Sequence, residues 1–82
     1  MATLLFEPPV GIYFGQPGQI LLVSSANEAE GCLMSREWPD RLSEDFKRAM
    51  SCITAAREGH TDANMAQVAF REAARAAGIL AD

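Results

Sequence analysis

Val10-Gly11-Ile12-Tyr13-Phe14-Gly15-Gln16-Pro17-Gly18-Gln19-Ile20-Leu21-Leu22-Val23 is the stretch that decides the fold. Val10, Ile12 and Phe14 alternate with Gly11 and Tyr13, and a period of two puts the first three on one face of a strand. Gly15 to Gly18 breaks the pattern. Proline presets φ at the second position of a β-turn and glycine takes the positive φ needed at the third, so Gln16 to Gln19 is expected as a type II turn. Ile20 to Val23 is apolar at every position, which predicts a second strand covered on both sides. The two strands make an antiparallel hairpin. Ile12 and Phe14 are expected to face the helices with Ile20 and Leu22, although the turn register decides which strand-two set points inward and the sequence leaves both open. Tyr13, Leu21 and Val23 then form an apolar outer strip, to be covered by Leu4 to Phe6 or by a second copy. A lone two-stranded sheet is marginal and exposes two edges, so helices must pack on it.

Upstream, Leu4-Leu5-Phe6 ends at Glu7-Pro8-Pro9 and reads as an extended lead-in, because two prolines offer no ladder donors. Downstream, Ser25-Ala26-Asn27-Glu28 has capping-box spacing. Helix one therefore starts at Ala26, buries Ala29, Cys32 and Leu33, carries Gly31 internally, and cannot pass Trp38 because Pro39 follows. Helix two runs from Leu42 or Ser43 to Glu58, with Leu42, Phe46, Ala49, Met50, Ile53 and Ala56 on its apolar face and Glu44 paired with Arg48. Gly59 stops it, and Thr61 with Asp62 caps the next helix. Helix three spans Asp62 to Ala77, and its row Ala66, Ala69, Ala73 and Ala77 beside Phe70 lets a neighbouring helix approach closely. Gly78 ends it, with Ile79 folding back on the last turn. The predicted fold is α+β, an N-terminal hairpin followed by three helices (ββααα). With no internal repeat or linker, residues 1–82 read as one domain.

The hairpin with Pro9-Val10, the Trp38-Pro39 pair, the Ala49 to Cys52 segment and the tail Ala69-Phe70, Ala73-Ala74, Ala77-Gly78-Ile79 together resemble a family of small, mainly rhizobial proteins, domain-of-unknown-function family 982. The resemblance extends from Pro9 to Ile79. Gly31, and Ala56-Arg57-Glu58 before Gly59, depart from its pattern. It implies an alphaproteobacterial source and a compact stand-alone protein, and carries no functional residue with it.

Composition narrows the function classes. Hydrophobic residues are 49% and charged residues 22%, values that support a packed core. No apolar run reaches the roughly 18–20 residues of a membrane span, and the N-terminus lacks a signal peptide's basic and apolar regions, so a cytoplasmic location is expected. Cys32 and Cys52 are expected as buried free thiols there. Metal is not expected, since His60 is the single histidine and no Cys-x-x-Cys occurs. No cofactor motif is present either. His60, between helices two and three, is expected to be structural or solvated, and catalysis would need a partner to orient its ring. The net charge is −4, and all seven basic residues between Arg36 and Arg75 share the stretch from residue 36 onward with eight acids. Nucleic acid is therefore a disfavoured partner, with Lys47, Arg48, Arg71 and Arg75 as the alternative contact faces. Trp38 has two readings, a core plug between helices one and two or an anchor for a partner. Met34, Met50 and Met65 read as adaptable core. The function class that remains is a non-catalytic protein-interaction or regulatory module, homodimeric through the hairpin, with Tyr13, Leu21, Val23 and Trp38 as its candidate contacts.

Overall fold

The computed structural model describes residues 4–15 and 17–81. Strand β1 (Leu5–Tyr13) and strand β2 (Ile20–Ser25) form an antiparallel hairpin, followed by helices α1 (Ala26–Met34), α2 (Glu44–Arg57) and α3 (Ala63–Ala76). This is the expected α+β order. The type II turn expected over Gln16 to Gln19 includes Gln16, which lies outside the described residues.

Register corrects which side of β2 faces in. Ile12 lies opposite Leu21 and Val10 opposite Val23, and side chains directly opposite one another share a face. Leu21 and Val23 therefore accompany Val10 and Ile12 on the inner side, while Ile20 and Leu22 join Tyr13 outside. Val23 and Ile12 are fully buried. The first strand also begins at Leu5, earlier than its periodicity indicates. Leu5 pairs with Ser25, so four β1 residues (6–9) stand against Ser24 alone. Pro8 and Pro9 have no N–H to place in a ladder, and the chain bulges at that point. Phe6 turns inward and meets Phe70 at a ring separation of 6.1 Å. Gln67, buried on α3, donates from Nε2 to the Pro8 carbonyl at 2.8 Å and satisfies an acceptor left by the bulge. Leu4 and Phe6 thus pack on the core and do not roof the outer strip.

The tail adds a pairing that short-range pattern does not reveal. Gly78 takes φ 76° after α3, and the Gly78 and Ile79 N–H groups donate to the Arg75 and Ala74 carbonyls, both at 3.0 Å. That Schellman arrangement turns the chain back toward the sheet. The Tyr13 N–H donates to the Ile79 carbonyl at 2.8 Å, and the Ala81 N–H to the Gly11 carbonyl at 2.9 Å. Ile12 and Leu80 sit opposite each other between these bonds. β1 is consequently the central strand, with β2 on one side and the tail on the other.

Each helix start has its own donor trap. Ser25 Oγ accepts from the Glu28 N–H at 3.2 Å, and the Glu28 carboxylate accepts from the Ser24 N–H at 3.3 Å, one residue further back than a capping box requires. Ser43 accepts from Phe46 N–H, and Asp62 from Met65 N–H. Leu42 therefore precedes the helix, and at 85% exposure it is not on the buried face. Ala49, Ile53 and Ala56 of α2 meet the alanine row of α3, where Ala66, Phe70, Ala73 and Ala74 are buried. Arg48 pairs with Asp45 at 3.4 Å, not with Glu44; Arg75 pairs with Glu72 at 3.8 Å as its spacing indicates. These exposed pairs contribute little. Arg57 and Glu30 form an ion pair that ties α2 to α1. Met50 packs against the core, whereas Met34 and Met65 are exposed.

Gly31 is exposed within α1, and a Cβ added there meets nothing within 4 Å. Gly31→Ala is therefore expected to stabilise the protein by about 0.5–1 kcal/mol, read as a raised urea midpoint at unchanged slope.

Candidate functional site

From Pro8 to Asn27 the sequence holds no charged side chain. Folding leaves Tyr13, Ile20, Leu21 and Leu22 of this neutral stretch at the surface of the hairpin. On its outer face Tyr13, Ile20 and Leu22 are exposed, Leu22 by 63%. They are continuous across Gly11: a Cβ built there lies 3.4 Å from Ile20 Cγ2 and 3.6 Å from both Leu22 Cδ2 and Ala81 Cβ. The outer strip is thus Tyr13, Ile20 and Leu22. Of the expected strip residues Tyr13 is exposed, Leu21 points to the inner side at the lip of the sheet with 42% exposure, and Val23 is core.

Trp38 is also core. It is 3% exposed and stands among Phe14 (6.4 Å), Phe46 (6.4 Å) and Phe70 (5.6 Å). A side chain enclosed by three rings cannot anchor a partner, so Trp38 closes the junction of hairpin, α2 and α3.

The edge of β2 has a defined polarity. Tyr13 and Gly11 direct their peptide groups at the tail, and in an antiparallel ladder successive residues alternate sides. Ile12 therefore points its N–H and C=O at Leu21, and Leu21 returns them. Ile20, Leu22 and Ser24 must aim theirs away from β1. The Ser24 N–H is held by Glu28, which leaves Ile20 and Leu22 with N–H and C=O groups that no backbone among the described residues engages. Beside them lies a groove of about 580 Å³, with Phe14, Leu21 and Leu22 on the hairpin side and Glu28, Gly31 and Cys32 on α1. A smaller hollow of about 360 Å³ at the hairpin tip shares Phe14 and Leu21.

Cys32 is a poor nucleophile for the groove. Burial pushes its thiol up, and the nearby Glu28 carboxylate adds to the effect, so the nucleophilic thiolate is disfavoured. Because the unfolded chain releases that proton first, at about pH 8.5 for an ordinary thiol, the stability Cys32 contributes is lost as pH rises beyond that value. At pH 8, iodoacetamide is expected to modify Cys52, which is only part-buried, ahead of Cys32. Mass spectrometry of the partly alkylated protein reads the order.

The remaining candidates do not converge. His60 is exposed, and its backbone N–H closes the end of α2 by donating to the Ala55 carbonyl at 2.8 Å. Asp62 uses its carboxylate to cap α3 and does not orient the His60 ring. Among the described residues no group of three or more His, Cys, Asp and Glu side chains is placed to hold a metal ion. Of the basic residues, Arg48 and Arg75 are paired with acids and Arg71 is half-buried. No helix among the described residues is long and apolar enough to cross a membrane.

The hairpin from Pro8 onward, the aromatic junction and the glycine-terminated third helix all lie within the residues that a family model covers. The family described as Protein of unknown function (DUF982) matches residues 8–81. The chain belongs to that family. The DUF982 match takes in the hairpin edge, the groove and the tail that flanks β1, so the candidate surface lies wholly inside the family unit. No curated protein and no solved structure is similar enough to match.

Proposed function

We propose that this DUF982 protein is a non-catalytic interaction module of the cytoplasm, with a regulatory role exerted through protein contacts, and that its first partner is a second copy joined at the hairpin. One observation carries the reading: an apolar surface without charge, ending in an unpaired strand edge, that no element among the described residues covers. Natural sheets blunt such edges with lysine, proline or burial. Ile20 to Ser25 contains neither lysine nor proline. Interface cores are depleted in charge and enriched in aromatic residues, and Tyr13 supplies the aromatic here. A polyanion finds less to hold, because the net charge is −4 and Arg48 and Arg75 already have acidic neighbours.

Light scattering tests this directly. The protein is expected to run as a dimer at tens of micromolar, and Leu22→Lys to weaken association at least about 30-fold with helix content unchanged. Added salt is expected to tighten the dimer, since it screens repulsion between two copies of net charge −4. A monomer mass at every salt concentration overturns the proposal.

A further inference from the structure

The partner surface can be specified to the level of individual peptide groups, and this step rests on the self-association proposed above. We infer that two copies pair β2 with β2 across a two-fold axis at Leu21, with Ile20 of each copy opposite Leu22 of the other, so that the two hairpins become one continuous sheet.

Hydrogen bonding selects this register from the alternatives. The open groups on the edge belong to Ile20 and Leu22, and antiparallel pairing of Ile20 with Leu22 of a second copy uses the N–H and C=O of both residues on both chains. Moving the axis to Leu22 would set Ile20 against Ser24, whose N–H is already held by the Glu28 carboxylate at 3.3 Å. Moving it to Ile20 would set Leu22 against Gly18, which has φ 83° and is not strand. Only the register centred on Leu21 satisfies every open group.

Side chains and charge agree with it. Directly opposite residues share a face, so the Ile20 and Leu22 side chains of both copies gather into one apolar cluster on the outer face. The two Leu21 side chains meet on the inner face, at the mouth of the groove that Phe14, Gly31 and Cys32 line. Gly31 has open space above it, which leaves room at that mouth. Self-complementarity supplies the argument for a second copy over another occupant. The same two residues, Ile20 and Leu22, present equal numbers of N–H and C=O groups, so a two-fold pairing leaves none unmatched, and the stretch from Pro8 to Asn27 brings no charge of its own against its copy. The groove is bordered by Glu28, whose carboxylate is engaged by Ser24.

A cross-linking series and one backbone edit test the pairing. In a Cys32→Ala, Cys52→Ala background, Leu21→Cys is expected to oxidise to a covalent dimer at least about 10-fold faster than Leu22→Cys, because facing residues of a non-hydrogen-bonded pair have Cα atoms about 4.5 Å apart, within disulfide reach. Faster cross-linking by Leu22→Cys overturns the register. In the second arm, chemically synthesised protein carrying N-methyl-Leu22 keeps its side chain and loses only an outward N–H. It is expected to melt as the parent monomer does and to associate at least 10-fold more weakly, on the order of one to two lost hydrogen bonds. If N-methyl-Leu22 dimerises normally while Leu22→Lys does not, the strand pairing falls and the apolar contact stands. If the parent protein is a monomer throughout, the self-association falls with it.

Discussion

Replacing Phe70 with alanine is expected to remove about 3–5 kcal/mol of stability, the range for deleting a buried aromatic side chain. Phe70 is fully buried on α3 and is the largest such side chain in the core. Its ring meets Phe6 from the β1 bulge at 6.1 Å and Trp38 from the α1–α2 connection at 5.6 Å. Three separate segments therefore lose their common contact in one substitution. Its neighbours on α3 are alanines, Ala66, Ala69, Ala73 and Ala74, which have no side-chain length with which to fill the space. The cavity therefore stays open, and the cost falls toward the upper part of the range. A chain of this size has on the order of 4–12 kcal/mol in all, so the loss takes roughly a third or more of the whole. Urea unfolding followed by Trp38 fluorescence measures it, with Phe70→Leu as the milder control at about 1–1.5 kcal/mol. A loss below about 1 kcal/mol for the alanine variant would show that Phe70 is not the point where these segments meet.

The second large effect is a contrast between adjacent residues. Val23→Lys is expected to unfold the protein outright, because it places an unpaired ammonium where Val23 is fully buried between Val10 and the helices, at a cost of several kcal/mol. Leu22→Lys, one residue away, puts the same charge into water and is expected to change stability by no more than about 0.5 kcal/mol. Far-UV circular dichroism at low concentration separates the two without reference to association. Were Leu22→Lys to be the one that unfolds, the inward face of β2 would be Ile20 and Leu22 after all; were both variants to fold equally well, Val23 would not be a core residue. The comparison is sharp because a slip of one residue in a strand exchanges its whole apolar set between faces.

That slip also explains why half of the candidate surface was not legible. Tyr13 could be placed outside from β1 alone, since Val10, Ile12 and Phe14 alternate against it. No such alternation exists in Ile20-Leu21-Leu22-Val23, where every residue is apolar and either parity is equally consistent with burial. The open edge at Ile20 and Leu22 could not be recognised either, because it depends on the tail occupying the other side of β1. Trp38 was legible only as a large apolar residue at a corner; whether it faced inward depended on Phe14, Phe46 and Phe70 arriving from three other segments.

What the sequence by itself determined is whatever a few neighbouring residues decide among themselves. The hydroxyl or carboxylate at Ser25, Ser43 and Asp62 traps the first helical N–H groups, and glycine at 59 and 78 accepts the positive φ that ends a helix. The alternating face of Val10 to Tyr13 and the alanine row of α3 are equally local, and they suffice for a hairpin followed by three helices. Tertiary structure alone decided the parity of β2, the inward turn of Phe6 at the prolines, the tail pairing beside Gly11, and hence which peptide groups remain open. Each of these is a contact between residues far apart in the chain, and its energy exists only once the intervening loops have closed.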